Sequence, residues 1–357
     1  MKFEDYKYER PDLEQFQNEL REIKDEIENA QDYETVKAAF KKQNVLHTKY
    51  NTMNHLASVR HTIDTRDEFY KQEDEFYNEA TPLLAKEMNG IQKALMNSPW
   101  KEDLKRDFGE IWFKKVEFAL KAFDEQLIAD MQEENRLVSA HETLIASAQI
   151  PFDGEVYTLA SLDEKMNDSD REVRERAHKA YWGWFEENEE ALGEIYDKMV
   201  KVRTRMGQKL GYSTYHPLGY LIMSRLDYTV DDVAEYRKNV LKDVVPVAEE
   251  LYEKQAERLG IGPTLPDWDE KVEFLEGNAR PKGNRDELVA KALEMYQELD
   301  PETGEFFQFM VDHNLLDLDS KPGKAGGGYC TYFPECRSPF IFANFNGTQG
   351  DVEVVTH

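Results

Sequence analysis

The sequence predicts a mainly α-helical protein of two lobes, with a small β-sheet near the C-terminal end of the chain. Three observations carry that prediction. Residues 11–149 are rich in Glu, Lys, Gln, Leu and Ala with only scattered Gly and Pro, the composition of long helices gathered into a bundle. The stretch "GGGYCTYFPECRSPFIFANFNG" at 326–347 changes to glycine, aromatic and β-branched residues, which favour extended chain. A length of 357 residues supports a large core shared between two lobes, read as an N-terminal helical lobe at 1–200 and a second lobe at 201–357.

The elements follow in order. The longest helix-like run in the first lobe spans about 107 to 149. "IPFDGEVYTLA" then sets β-favouring residues on both sides of Asp153-Gly154, the dipeptide of a tight hairpin turn. Val173, Ala177, Ala180, Tyr181, Trp184 and Phe185 recur at helical spacing, followed by Leu192, Ile195, Tyr196 and Met199, so a core-facing helical stripe is expected. Gly211, Pro217 and Gly219 interrupt it, and a new helix is expected over about 230–259. The Gly- and Pro-rich stretch 260–284 reads as a surface connection, and two shorter helices are expected at about 285–298 and 302–314. Pro334 and Pro339 flank the connection between two strands. Thr348 and Asp351 stand at capping-box spacing, so a last helix begins near Gly350 with Val352, Val354 and Val355 in its first turns.

Charge narrows the function classes. With 45 basic against 72 acidic residues the formal charge is -27, which repels phosphate backbones and anionic lipid surfaces, so nucleic-acid and membrane partners are not expected. No window approaches the roughly 18 uncharged apolar residues of a membrane span, and the amino terminus has no signal-peptide core. Cys330 and Cys336 are the two cysteines, spaced unlike a CxxC site. The expectation is a cytoplasmic protein.

Among possible chemical motifs, Gly326, Gly327 and Gly328 follow Lys324-Ala325 without the spacing or the Ser/Thr of a phosphate loop. They read instead as a place of close backbone approach or of movement. "HETLI" at His141 begins like the zinc-peptidase pattern HExxH but ends in Ile145. His47, His55 and His61 are spaced eight and six apart, not on one helical face at ligand distance. His357 differs, because it lies at the end of the second turn of a capped, apolar helix that follows a strand. HExxH enzymes hold their two histidines on such a platform.

The segment 326–357 resembles oligoendopeptidase F and the Pz-peptidase group of the thimet-oligopeptidase-like zinc metallopeptidases. The likeness extends to "FDGEVYTLASL", "DREVRERAHKAYW" and "LGYSTYHPLGYLIMSRLDY". It implies a helical protein whose two lobes enclose a deep channel. Zinc lies at the channel floor, and the narrow access admits short peptides for hydrolysis by a metal-activated water. His357 matches the first zinc ligand, and the family's remaining ligands and general base fall after it. The chain is thereby read as the portion of a zinc metalloendopeptidase that precedes them, inactive by itself, with the remaining C-terminal portion of the peptidase as its partner.

Gly328 and Tyr329 at the mouth of the first strand, with Ala343, Asn344 and Phe345 in the second, are the candidate substrate-binding residues, "IFANF" being taken as an edge strand able to pair with an extended peptide. Glu353 lies one helical turn before His357, either hydrogen-bonded to the metal-bound imidazole or on a solvated face. Two other readings stay open, a non-catalytic peptide-binding module and a helical scaffold.

Overall fold

The computed structural model describes residues 1–262 and 264–356. Three helices open the chain, α1 (Leu13–Glu28), α2 (Tyr33–Ile63) and α3 (Glu68–Asn97). Each begins at an aspartate, Asp12, Asp32 or Asp67, whose carboxylate accepts a free backbone N–H of the first turn. Phe16, Leu20, Ile23 and Ile27 recur every three or four residues along α1 and are buried against α2 and α3. The segment before α1 is held by Arg10, whose guanidinium meets the buried Glu73 of α3 at 2.6 and 2.9 Å.

The single long helix expected over 107–149 is three shorter ones. These are α4 (Lys101–Phe108), α5 (Glu110–Ala122) and α6 (Ile128–Ala146). The chain breaks at Gly109 and again at Asp124, whose side chain accepts the Gln126 N–H and starts a short 3₁₀ turn. Composition alone did not mark these breaks, because both flanks are strong helix formers. The longest helices lie earlier, in α2 and α3.

The hairpin forms as expected from β1 (Ile150–Phe152) and β2 (Glu155–Tyr157), with Asp153 and Gly154 both at positive φ, 49° and 86°. Helices α7 (Leu159–Met166), α8 (Arg171–Glu187), α9 (Glu189–Lys209) and α10 (His216–Ile222) follow. In α8 the predicted stripe buries Ala177 and Trp184 against β1 and α7. In α9 Leu192 packs against the same cluster and Met199 against a second one, whereas Tyr196 departs from the expected stripe and is 73 % exposed. Asn188 leaves helical geometry between the two helices.

The helix expected at 230–259 is present as α11 (Val230–Asn239), a π turn (Val240–Val244) and α12 (Val245–Leu259). Pro246 explains the wide turn, since its ring displaces the preceding carbonyl and it offers no N–H. Within the irregular stretch after α12, the buried Asp269 accepts Arg174 at 2.6 Å and Arg171 at 2.8 Å, fastening the loop to α8.

Helices α13 (Arg285–Leu299) and α14 (Pro301–Asp312) lead to a three-stranded sheet. Its strands are β3 (Leu316–Asp319), β4 (Tyr329–Phe333) and β5 (Ser338–Phe345), in the order β3-β5-β4. The strand taken as an edge is therefore central, with β3 parallel on one side and β4 antiparallel on the other. β3 escaped the sequence reading because "LDLD" is four residues long and half acidic. Phe333, Phe340 and Phe342 are sealed between the sheet and the amino-terminal Phe3 and Tyr6. The last helix, α15 (Gln349–Thr356), follows β5 directly.

Candidate peptide-binding cleft

Beyond β5 the sheet opens into a cleft of about 510 Å³. Register explains the opening. β4 pairs with β5 only as far as Tyr329 opposite Phe342, whereas β5 runs on to Phe345. Main-chain groups along a strand point alternately to its two sides. The Ile341 N–H donates to Leu315 O on the β3 side, so Phe342 faces β4 opposite Tyr329, and between Phe342 and Phe345 β5 carries one extra residue against β3, which sets Ala343 and Asn344 at a bulge just past the end of β4.

The glycine loop forms the facing wall. The Asn344 side-chain amide donates to Ala325 O at 2.9 Å and Gly327 O at 2.8 Å, bending the loop back over the strand end. A Cβ on Gly328 would stand 3.2 Å from Phe342 O, so a side chain there would press the loop and the strand apart by a few tenths of an ångström. Lys324 joins the same structure from beneath. Its side chain is fully buried, and its ammonium donates to the carbonyls of Asp317, Asp319 and Ala343 and to the Asp317 carboxylate. Burial pushes the Lys324 ammonium below its ordinary pKa, and the Asp317 carboxylate opposes that shift.

The far end is closed by the turn into α15. Asp351 is buried and accepts the N–H of Asn346 at 3.1 Å and of Gly347 at 2.8 Å. Burial raises its pKa, with these two amides pulling the other way. The Thr348 hydroxyl, expected to cap the helix as acceptor, donates instead to Asn346 Oδ1 at 2.7 Å. Asn346 in turn donates to Ala160 O of α7 at 3.1 Å. The third wall is apolar, with Ile145, Leu159, Tyr181 and Phe185 from α6, α7 and α8. Asp163 and Lys271 form an ion pair at the rim.

Of the residues singled out in the sequence, Gly328, Ala343, Asn344 and Phe345 come together as cleft lining. Tyr329 supports the wall from behind. Its ring stacks on Phe342 with centroids 4.7 Å apart, its hydroxyl meets Thr62 at 2.6 Å, and burial pushes its pKa up to about 12. Glu353 is solvent-exposed, accepts from Gln349 Nε2 at 3.2 Å, and lines a neighbouring polar groove. His357, the assigned zinc ligand, lies outside the described residues. Among the described residues no group of three or more His, Cys, Asp or Glu side chains is placed to hold a metal ion, and no helix is long and apolar enough to cross a membrane. Sequence reasoning missed Lys324, Asn346 and the buried role of Asp351. It also placed Tyr181 and Phe185 wholly in the core.

Comparison with known proteins gives independent findings. Residues 3–123 match the peptidase M3 N-terminal domain, and residues 165–357 match peptidase family M3. The chain is similar throughout its length to Pz peptidase A, solved with an inhibitor, at 43 % identity and a TM-score of 0.98, covering 63 % of that chain. It is likewise similar to a chain assigned as an oligoendopeptidase F, at 44 % identity, a TM-score of 0.98 and 63 % coverage. A third structure, assigned as an oligoendopeptidase F from Bacillus anthracis str. Ames, gives 42 % identity, a TM-score of 0.98 and 65 % coverage. The chain thus spans just under two thirds of the length of these relatives. No curated protein matches.

Proposed function

The chain belongs to peptidase family M3, and from that premise we propose that it supplies the substrate-binding part of a zinc-dependent endopeptidase acting on short oligopeptides in the cytoplasm. The observation that carries the reading is the cleft. Its two polar walls, the glycine loop and the end of β5, offer main-chain groups and small residues, which suit an extended peptide of almost any sequence. Tyr181, Phe185 and Ile145 opposite them give apolar contact for alternate side chains.

The described residues do not by themselves fit a zinc ion. The buried carboxylate of the expected ligand helix, Asp351 in α15, is committed to two backbone amides, and a three-donor group is not found among the described residues. The reading therefore assigns the metal to His357 and to donors in the remaining portion of the peptidase, which is the proposed partner. Both cysteines are free thiols, in keeping with a reducing compartment.

A non-catalytic peptide-binding module would use the same cleft without the metal. The deciding experiment joins this chain to the rest of the Pz peptidase A sequence and follows a quenched fluorescent peptide. Zinc-restored, chelator-sensitive cleavage that is lost in His357→Ala supports the peptidase. Peptide binding without cleavage supports the module.

A further inference from the structure

We propose that the helical arm 230–259 is a docking surface for the part of the protein that corresponds to the remaining third of the relatives' length. This rests on the reading above that such a portion is the chain's partner, and adds where it binds.

The arm is unusual for a surface helix. α11 and the π turn bury no residue, and α12 buries only Gln255, Ala256 and Leu259 at its final turns. Its apolar residues are nevertheless many and uncovered. Tyr236 is 68 % exposed, Leu241 69 %, Val244 56 %, Val247 54 %, Leu251 59 % and Tyr252 45 %. From Tyr236 to Leu251 they fall three to five residues apart, the spacing of one helical side, and Tyr252 widens that side by one position. Continuous apolar faces of this kind on soluble proteins mark contact surfaces.

One end of the face is already in use. Gln255 donates to the carbonyls of Glu270 at 2.9 Å and Val272 at 2.8 Å, while Ala256 and Leu259 are buried beside it. Tyr252 donates its hydroxyl to Glu270 at 3.1 Å, and from there toward the amino-terminal end of the arm Leu251, Val247, Val244, Leu241 and Tyr236 all stay exposed among the described residues. The π turn matters to this geometry, because it absorbs Pro246 without breaking the rod. The result is one platform roughly 45 Å long at 1.5 Å per residue.

The occupant follows from the relatives. They match this chain from end to end with a TM-score of 0.98, yet more than a third of each lies outside the match. That additional chain must rest against the shared part, and an exposed apolar helix face is the surface that gains most from cover.

The test uses hydrogen exchange on two proteins, this chain and the same chain continued into the remaining portion of Pz peptidase A. Amides of 231–255 should exchange at least about tenfold more slowly in the longer protein. The double variant Val244→Asp, Leu251→Asp should lower the melting temperature of the longer protein and leave that of the shorter chain unchanged, since charges enter a buried face only in the former. Unchanged exchange across the arm, or equal melting shifts in both proteins, would overturn the proposal. So would a dimer of the shorter chain that the double variant abolishes, because the arm would then meet a second copy. None of these readouts uses activity, so an absence of zinc-dependent cleavage would sink the peptidase reading while leaving the docking result intact.

Discussion

The ammonium of Lys324 lies 2.5 Å from the main-chain carbonyl of Ala343, with the lysine side chain wholly sealed from solvent. One buried cation thereby ties the glycine loop to the strand end that forms the opposite wall of the cleft. Phe342 adds its ring face 4.5 Å from the same ammonium. Loop, β3 and β5 behave as one unit because they share this donor.

Replacing Lys324 by Met should therefore destabilise the fold by about 3 kcal/mol, since the Asp317 carboxylate and three carbonyls lose their common partner. Lys324→Arg keeps the charge, but a planar fork cannot serve the same convergent set of acceptors, so only part of the loss is recovered. Urea denaturation of the three proteins checks the order wild type, Arg, Met.

At Gly328 the expected effect is on binding. A side chain there meets Phe342 O, which a Cβ would approach to 3.2 Å. Gly328→Val should weaken binding of an extended peptide about tenfold or more by shifting the loop into the cleft, at an overpacking cost of about 1–3 kcal/mol. Titration calorimetry with a short peptide reads the first, thermal melting the second. Unchanged affinity would show that the loop does not bound the peptide site.

Acid should act through Asp130. This buried carboxylate joins α6 to α9 through Arg205 at 2.6 Å and Lys209 at 2.5 Å. Burial pushes its pKa up, but the hydrogen bonds from Lys209 and Arg205 win and hold it below the ordinary value. A folded pKa below the unfolded one contributes stability that is present above the unfolded value, about 3.9, and lost as pH falls through the folded value. Asp130→Asn should be less stable at pH 7 and should show a flatter loss of stability below about pH 4. Parallel curves for the two proteins would contradict the sign.

Metal binding follows from ligand count. A single imidazole is a weak and proton-sensitive site, and the described residues offer no three-donor group. The chain alone is expected to retain no zinc after dialysis and to cleave no peptide. Stoichiometric zinc by elemental analysis, or chelator-sensitive turnover, would show a complete site within these residues.

Much of this architecture was legible in the residues, for reasons that also explain what was not. Asp153-Gly154 fixed the hairpin because few other dipeptides accept two positive φ values in sequence. The helix over 230–259 was visible in its composition, while its π turn needed Pro246 to be weighed against the carbonyls before it. β3 was hidden because a four-residue parallel strand takes its partner from 25 residues downstream, Leu316 against Ile341. The substrate-side candidates on β5 were found by pattern, yet the free edge is only its last few residues, which depends on where β4 stops. Lys324 gave no local signal, since its acceptors are carbonyls that any residue carries. Tyr181 and Phe185 show the limit of periodicity, which identifies an apolar face without saying whether a core or a cleft lies against it.

The central claim is that an extended peptide lies between the glycine loop and the end of β5. Hydrogen exchange with a saturating short peptide tests it most directly. The amides of Gly327, Gly328 and Asn344 should be protected, and Asn344→Pro, which removes one of those donors and the side chain that holds the loop, should abolish the effect. Unchanged exchange at 326–328 and 343–345 in the presence of bound peptide would contradict the account and leave β5 as a structural strand alone.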